Sequence, residues 1–72
     1  MKFDVHFYMA SGKRIDCTTS IFINGEGREA KTVSGVKTWF NNQKRLITLT
    51  TSAHEEVIIN LDRVEYIEIE KN

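Results

Sequence analysis

Phe3, Val5, Phe7 and Met9 are apolar, and Lys2, Asp4, His6 and Tyr8 alternate with them. Successive side chains of an extended chain point to opposite faces, so this period of two predicts a half-buried strand with the odd residues facing a core. Ala10-Ser11-Gly12-Lys13 follows as a turn, because glycine takes the positive φ that tight hairpins demand. Extension resumes over Arg14–Thr19, with Ile15 and Cys17 directed inward and two threonines suited to the pleat. These segments are expected to pair as a hairpin. Ser20-Ile21-Phe22-Ile23 either prolongs the second strand or begins a connection. Asn24-Gly25-Glu26-Gly27 reads as a loop, and its two glycines lack the longer pattern of a phosphate-binding loop.

The period changes over residues 32–43. Val33, Val36 and Phe40 fall at helical spacing, with Trp39 beside Phe40. Thr32 or Ser34 can cap the start, and Gly35 is best tolerated in the first turn. Asn41 and Asn42 mark the exit. Lys44 and Arg45 are expected near the C-terminal end, where the helix dipole favours positive charge. A helix of two to three turns must be held by tertiary packing.

Period two returns at 46–51, rich in β-branched residues, and again where Val57, Ile59 and Leu61 alternate with Glu56, Ile58 and Asn60. Ser52-Ala53-His54-Glu55 is the turn between these strands. Asp62-Arg63 is a very short connection, either a hairpin turn or a single 3₁₀ turn. In the last strand, 64–70, Ile67 and Ile69 share one face and Val64, Tyr66, Glu68 and Glu70 the other. Ile58 and Tyr66 sit where simple alternation leaves side chains to water, so cover on both faces is expected there. The fold class is α+β: a five-stranded, strongly bent antiparallel sheet in the order β-β-α-β-β-β with one short helix. An SH3-like or Sm-like small barrel is the alternative, reached if the last connection is a 3₁₀ turn.

Residues 1–72 read as a single small domain, near the size below which a core is hard to build. The lone Cys17 excludes an intramolecular disulfide and reads as a small buried hydrophobe. No apolar leader precedes the first strand, and no stretch approaches the ~18 apolar residues of a membrane span. A cytoplasmic protein without membrane contact is therefore expected. Ten Lys and Arg balance ten Asp and Glu, so no general attraction to polyanions follows. Residues 1–45 hold eight of the bases and four of the acids, and 46–72 hold two bases and six acids. Two oppositely charged faces result unless strands of the two halves interleave.

Catalytic chemistry finds little support. Asp4, His6 and Tyr8 share an outward face and could pass protons, but on a flat strand without a cleft. His6, Cys17 and His54 lack the paired spacings of zinc sites, and Asp62, Glu65 and Glu68 lack those of a calcium loop. No cofactor is expected, and the chain reads as a non-enzyme. The more suggestive set is Trp39 and Phe40 with Lys37, Lys44 and Arg45, joined by Tyr66. An aromatic exposed among bases is a typical anchor of a protein interface.

The segments Leu46-Ile47-Thr48-Leu49-Thr50-Thr51 and Val57-Ile58-Ile59-Asn60-Leu61-Asp62-Arg63-Val64-Glu65-Tyr66-Ile67-Glu68-Ile69 together resemble the ends of small phage-, prophage- and plasmid-encoded proteins of low-GC Gram-positive bacteria. The resemblance covers about the last 25 residues and carries no site residues. It implies an accessory protein that acts by binding. The leading expectation is a protein-interaction module, with a homodimer or a host protein as partner. Nucleic acid ranks second, as a small oligonucleotide-binding barrel in which Lys13, Arg14, Lys37, Lys44 and Arg45 touch phosphates and Tyr8 or Trp39 stacks a base.

Overall fold

In the computed structural model, which describes residues 1–23, 28–50 and 53–72, the first strand is the organising element. β1 (Phe3–Met9) pairs antiparallel with β2 (Arg14–Thr19) on one side and with the C-terminal β7 (Val64–Lys71) on the other. Its alternation is realised as expected. Phe3, Val5 and Phe7 are fully buried, and Asp4, His6 and Tyr8 lie on the opposite face. The hairpin turns at Gly12, whose φ of +91° suits glycine alone among the turn's residues.

Two short ladders complete the strands. β3 (Phe22–Ile23) pairs with β4 (Arg28–Glu29), and β5 (Leu46–Thr50) with β6 (Glu56–Asn60). The Asn24–Gly27 loop, and Thr51 and Ser52 of the later strand and turn, lie outside the described residues. The protein is thus α+β with antiparallel strands and one helix, but in place of the single five-stranded sheet the described residues form seven strands in three sheets. The cause lies at the last connection. Asn60 Oδ1 accepts the Asp62 backbone N–H at 3.0 Å and caps a 3₁₀ turn, Leu61–Arg63. Of the two connections expected there, the chain takes the one that turns β7 away from β6 and delivers it to β1.

Helix α1 spans Val33–Asn41. Thr32 caps it, accepting the Gly35 N–H at 3.0 Å, and Val36 and Phe40 bury one stripe. Asn42 closes it, leaving Lys44 and Arg45 beyond the last turn rather than in it. One core unites the elements. Phe3, Val5 and Phe7 meet Val36 and Phe40 from the helix and Ile47, Leu49 and Ile59 from the β5–β6 ribbon. Phe7 and Phe40 pack edge to face, 5.8 Å between centroids. Cys17 is buried as expected, and burial pushes its thiol pKa up, away from reactivity.

Within one chain, two expectations for the last strands are corrected. Ile58 is 67% exposed and Tyr66 56%. The helix packs on the core side of β7 and covers neither. Simple alternation puts Val64 on the outer face, yet it packs against the core. Tyr8 pairs with Tyr66 but Met9 with Val64, so Glu65 is an extra residue in β7. This bulge reverses the alternation at that point.

Phe7→Ala is expected to cost about 3–5 kcal/mol, a large share of the stability of so small a domain. Gly35→Ala places a Cβ 3.4 Å from Thr32 Oγ1, an ordinary contact, and is expected to add roughly half a kcal/mol through helix propensity. Urea titrations of both variants check this. A destabilising Gly35→Ala overturns the account of the helix start.

Candidate interaction groove

The outer face of the three-stranded sheet is set by register. Tyr8 lies between Arg14 and Tyr66, His6 between Asp16 and Glu68, and Asp4 between Thr18 and Glu70. Tyr8 and Tyr66 stack with centroids 4.3 Å apart. The Tyr8 hydroxyl donates to Glu68, and this bond raises the phenol's pKa. His6 Nδ1 lies 2.6 Å from Asp16 Oδ1, and Arg14 Nε 3.1 Å from the same oxygen. Asp16 is held below the ordinary carboxylate pKa, chiefly by the His6 hydrogen bond and further by the Arg14 charge, against the opposing effect of burial. Thr18 and Asn72 both donate to Asp4 Oδ1, at 2.7 and 3.1 Å. Strands of the two halves therefore do interleave. The result is a face with Asp4, Asp16, Glu68 and Glu70 around Arg14 and His6.

Beside this face, between α1 and β7, runs an open groove of about 640 Å³. Its apolar surface comes from Phe40, Leu61, Val64, Ile67 and Ile69, with Val33, Lys37 and Asn41 on the helix side and Glu65 and Tyr66 on the strand side. The groove opens along an edge of β7 that pairs with no other strand among the described residues. Which backbone groups face it follows from the ladder. The Asn72 N–H donates to Lys2 O at 3.0 Å, across to the β1 side. Counting back in twos, Glu70, Glu68 and Tyr66 also direct their N–H and C=O toward β1, and Ile69 and Ile67 direct theirs away from it.

The six residues expected at an interface separate. Lys37, Phe40 and Tyr66 line the groove, although Phe40 does so as a core residue with only 9% exposure. Trp39 is half-buried on the other side of the helix, edge-on to Phe40 at 5.0 Å, in a second groove with Thr19, Phe22, Thr48 and His54. Its indole N–H has no hydrogen-bond partner among the described residues. Lys44 and Arg45 line neither groove. Arg45 takes φ +60° and pairs at 3.8 Å with Asp62. The pattern of the sequence missed Val64, Leu61 and Gln43 as groove residues. Val64 and Ile67, three apart within an alternating strand, were the trace of the bulge that brings Val64 inward. His6 lines neither groove, so the outward Asp4, His6 and Tyr8 set stands on a sheet face.

No protein-family model matches this chain, nor does any curated protein or solved structure. The geometry of the groove and the acidic face therefore carries the functional reading.

Two outcomes check this description. A depressed carboxylate stabilises the fold above its unfolded-state pKa, and the contribution is lost as pH falls through the folded-state value. His6→Gln is expected to return the Asp16 titration toward the ordinary carboxylate range, read by side-chain carboxyl NMR. An unmoved Asp16 midpoint overturns the assigned cause. Trp39→Phe removes the unpartnered N–H together with some buried area, so it is expected to lie within about 1 kcal/mol of wild type, where Trp39→Ala costs about 3 kcal/mol. Chemical denaturation separates the two.

Proposed function

We propose that this chain is a non-enzymatic protein-interaction module that receives a polypeptide along the β7 edge and the groove beside it. The observation that carries the reading is the conjunction of an edge without a partner strand and an apolar groove opening along it. Extended peptides bind proteins in this way, with main-chain hydrogen bonds supplying affinity and neighbouring pockets supplying selectivity. The strand path fits a small SH3-like or Sm-like barrel: β1 between β2 and β7, β2 running beside β5, and a 3₁₀ turn feeding the last strand. The ending's resemblance to small mobile-element proteins agrees with an accessory role exercised by binding. No helix among the described residues is long and apolar enough to cross a membrane.

The oligonucleotide reading is weaker on electrostatic grounds. Tyr8, a candidate base-stacking residue, already stacks on Tyr66 and donates its hydroxyl to Glu68, with Asp16 diagonal to it beside Arg14, and these carboxylates repel phosphate. Arg14 and Arg45, candidate phosphate contacts, are paired with Asp16 and Asp62.

Crosslinking with mass-spectrometric identification tests the proposal, comparing wild type with a Lys37→Glu, Tyr66→Ala double variant shown by circular dichroism to be folded. The expectation is a defined partner, or a second copy of the chain, linked through residues of β7 or α1 and lost in the variant. Crosslinks that avoid this groove, or that survive the double substitution, overturn it.

A further inference from the structure

The edge of β7 selects its occupant by charge, and this deepens the reading above and rests on it. On the outer face β7 presents Tyr66, Glu68 and Glu70, next to Asp4 of β1 and, one strand farther, Asp16 of β2. On the inner face it presents Ile67 and Ile69, which line the apolar groove with Phe40. A strand laid against β7 would bond to the backbone groups of Ile67 and Ile69. Its own side chains would then alternate in the same sense. One set would stand beside Glu68 and Glu70, and the other would enter the groove. We infer that the occupant is an extended segment of another protein in which basic and apolar residues alternate, added to β7 as a fourth strand of the sheet.

A second copy of this chain is the poorer fit. Antiparallel β7 to β7 pairing that keeps the isoleucines inward sets the outer residues of the two copies against each other. Glu68 and Glu70 then meet acids directly or diagonally, and like charges across a ladder are destabilising. The same carboxylates that guard the edge against self-pairing attract a basic strand. On the outer face Arg14 is engaged by Asp16 on the strand farthest from β7, and Lys2 stands at the end of β1, opposite Asn72 and past the acidic row. Lys37, the one base lining the groove, is on the helix side; Glu68 accepts the Tyr8 hydroxyl and Glu70 lies 4.0 Å from His6 Nε2, so neither is held by a lysine or arginine among the described residues.

The test uses capped eight-residue peptides alternating Lys with Val, and Glu with Val, titrated into the full chain at low salt. Binding is followed by calorimetry and by amide hydrogen exchange. The Lys–Val peptide is expected to bind at least about tenfold more tightly than the Glu–Val peptide, since two cross-strand charge pairs change sign between them. The amides of Ile67 and Ile69 should gain protection, while those of Tyr66 and Glu68, already bonded to β1, should change little. Glu68→Lys with Glu70→Lys should reverse the preference. Equal affinity for both peptides, or protection appearing elsewhere, overturns the inference. If neither peptide binds but the chain self-associates with protection at Ile67 and Ile69, the basic partner is overturned and the interaction module stands. If neither peptide binds and no crosslinked partner maps to β7 or α1, both fall.

Discussion

The register of β1 fixes both faces of this protein at once. Phe3, Val5 and Phe7 make the centre of the core, and Asp4, His6 and Tyr8 make the middle row of the outer face. Because the side-chain period of a strand is two, slipping this strand by one residue would send three core residues to water and three polar residues into the core. Pairing on both edges reinforces the choice. β2 and β7 each bring their own alternation into step, so the ladder contacts Thr18 to Asp4 and Asp16 to His6 form where the apolar register already places them. The polar network follows from the packing of the core and needs no separate cause.

A chain of this length has little surface to spare for covering its own sheets. Nine residues of helix bury Val36 and Phe40 and leave Ile58, Leu46 and Tyr66 open. The 3₁₀ turn at Leu61–Arg63 has the larger consequence. By carrying β7 away from β6, it gives β1 its second partner, and it also leaves the far edge of β7 facing a groove instead of another strand. The device that completes the core thus creates the opening beside it.

Much of this was legible in the sequence. The β1–β2 hairpin, the capped helix and the last strands follow from alternation, Thr32 and the turn residues, all local signals. Pairing of β1 with β7 joins residues 55 (Met9 and Val64) to 68 (Phe3 and Lys71) positions apart, and no local pattern encodes it. The separation of Phe40 from Trp39 was equally hidden. Adjacent helical residues diverge by about 100°, and which one enters the core depends on where Phe7 stands. Arg45 at φ +60° carries no sequence mark, since such a position ordinarily calls for glycine or asparagine. The six expected interface residues are alike only in type, and the fold brings Lys37, Phe40 and Tyr66 together because those three border the space between α1 and β7.

Charge balance in the whole chain conceals the feature that the groove depends on. Ten bases and ten acids cancel in sum, yet the acids of β7 stand beside those of β1 and β2 because the C-terminal strand folds back onto the N-terminal hairpin. An exposed strand edge is a liability unless something limits what can pair with it. Glu68 and Glu70 limit it by sign: they resist another copy of the same strand and they favour one of opposite charge. On the proposed reading, protection from aggregation and choice of partner reside in the same two side chains. A change that made the edge safer by adding acids would also narrow the set of segments it could receive.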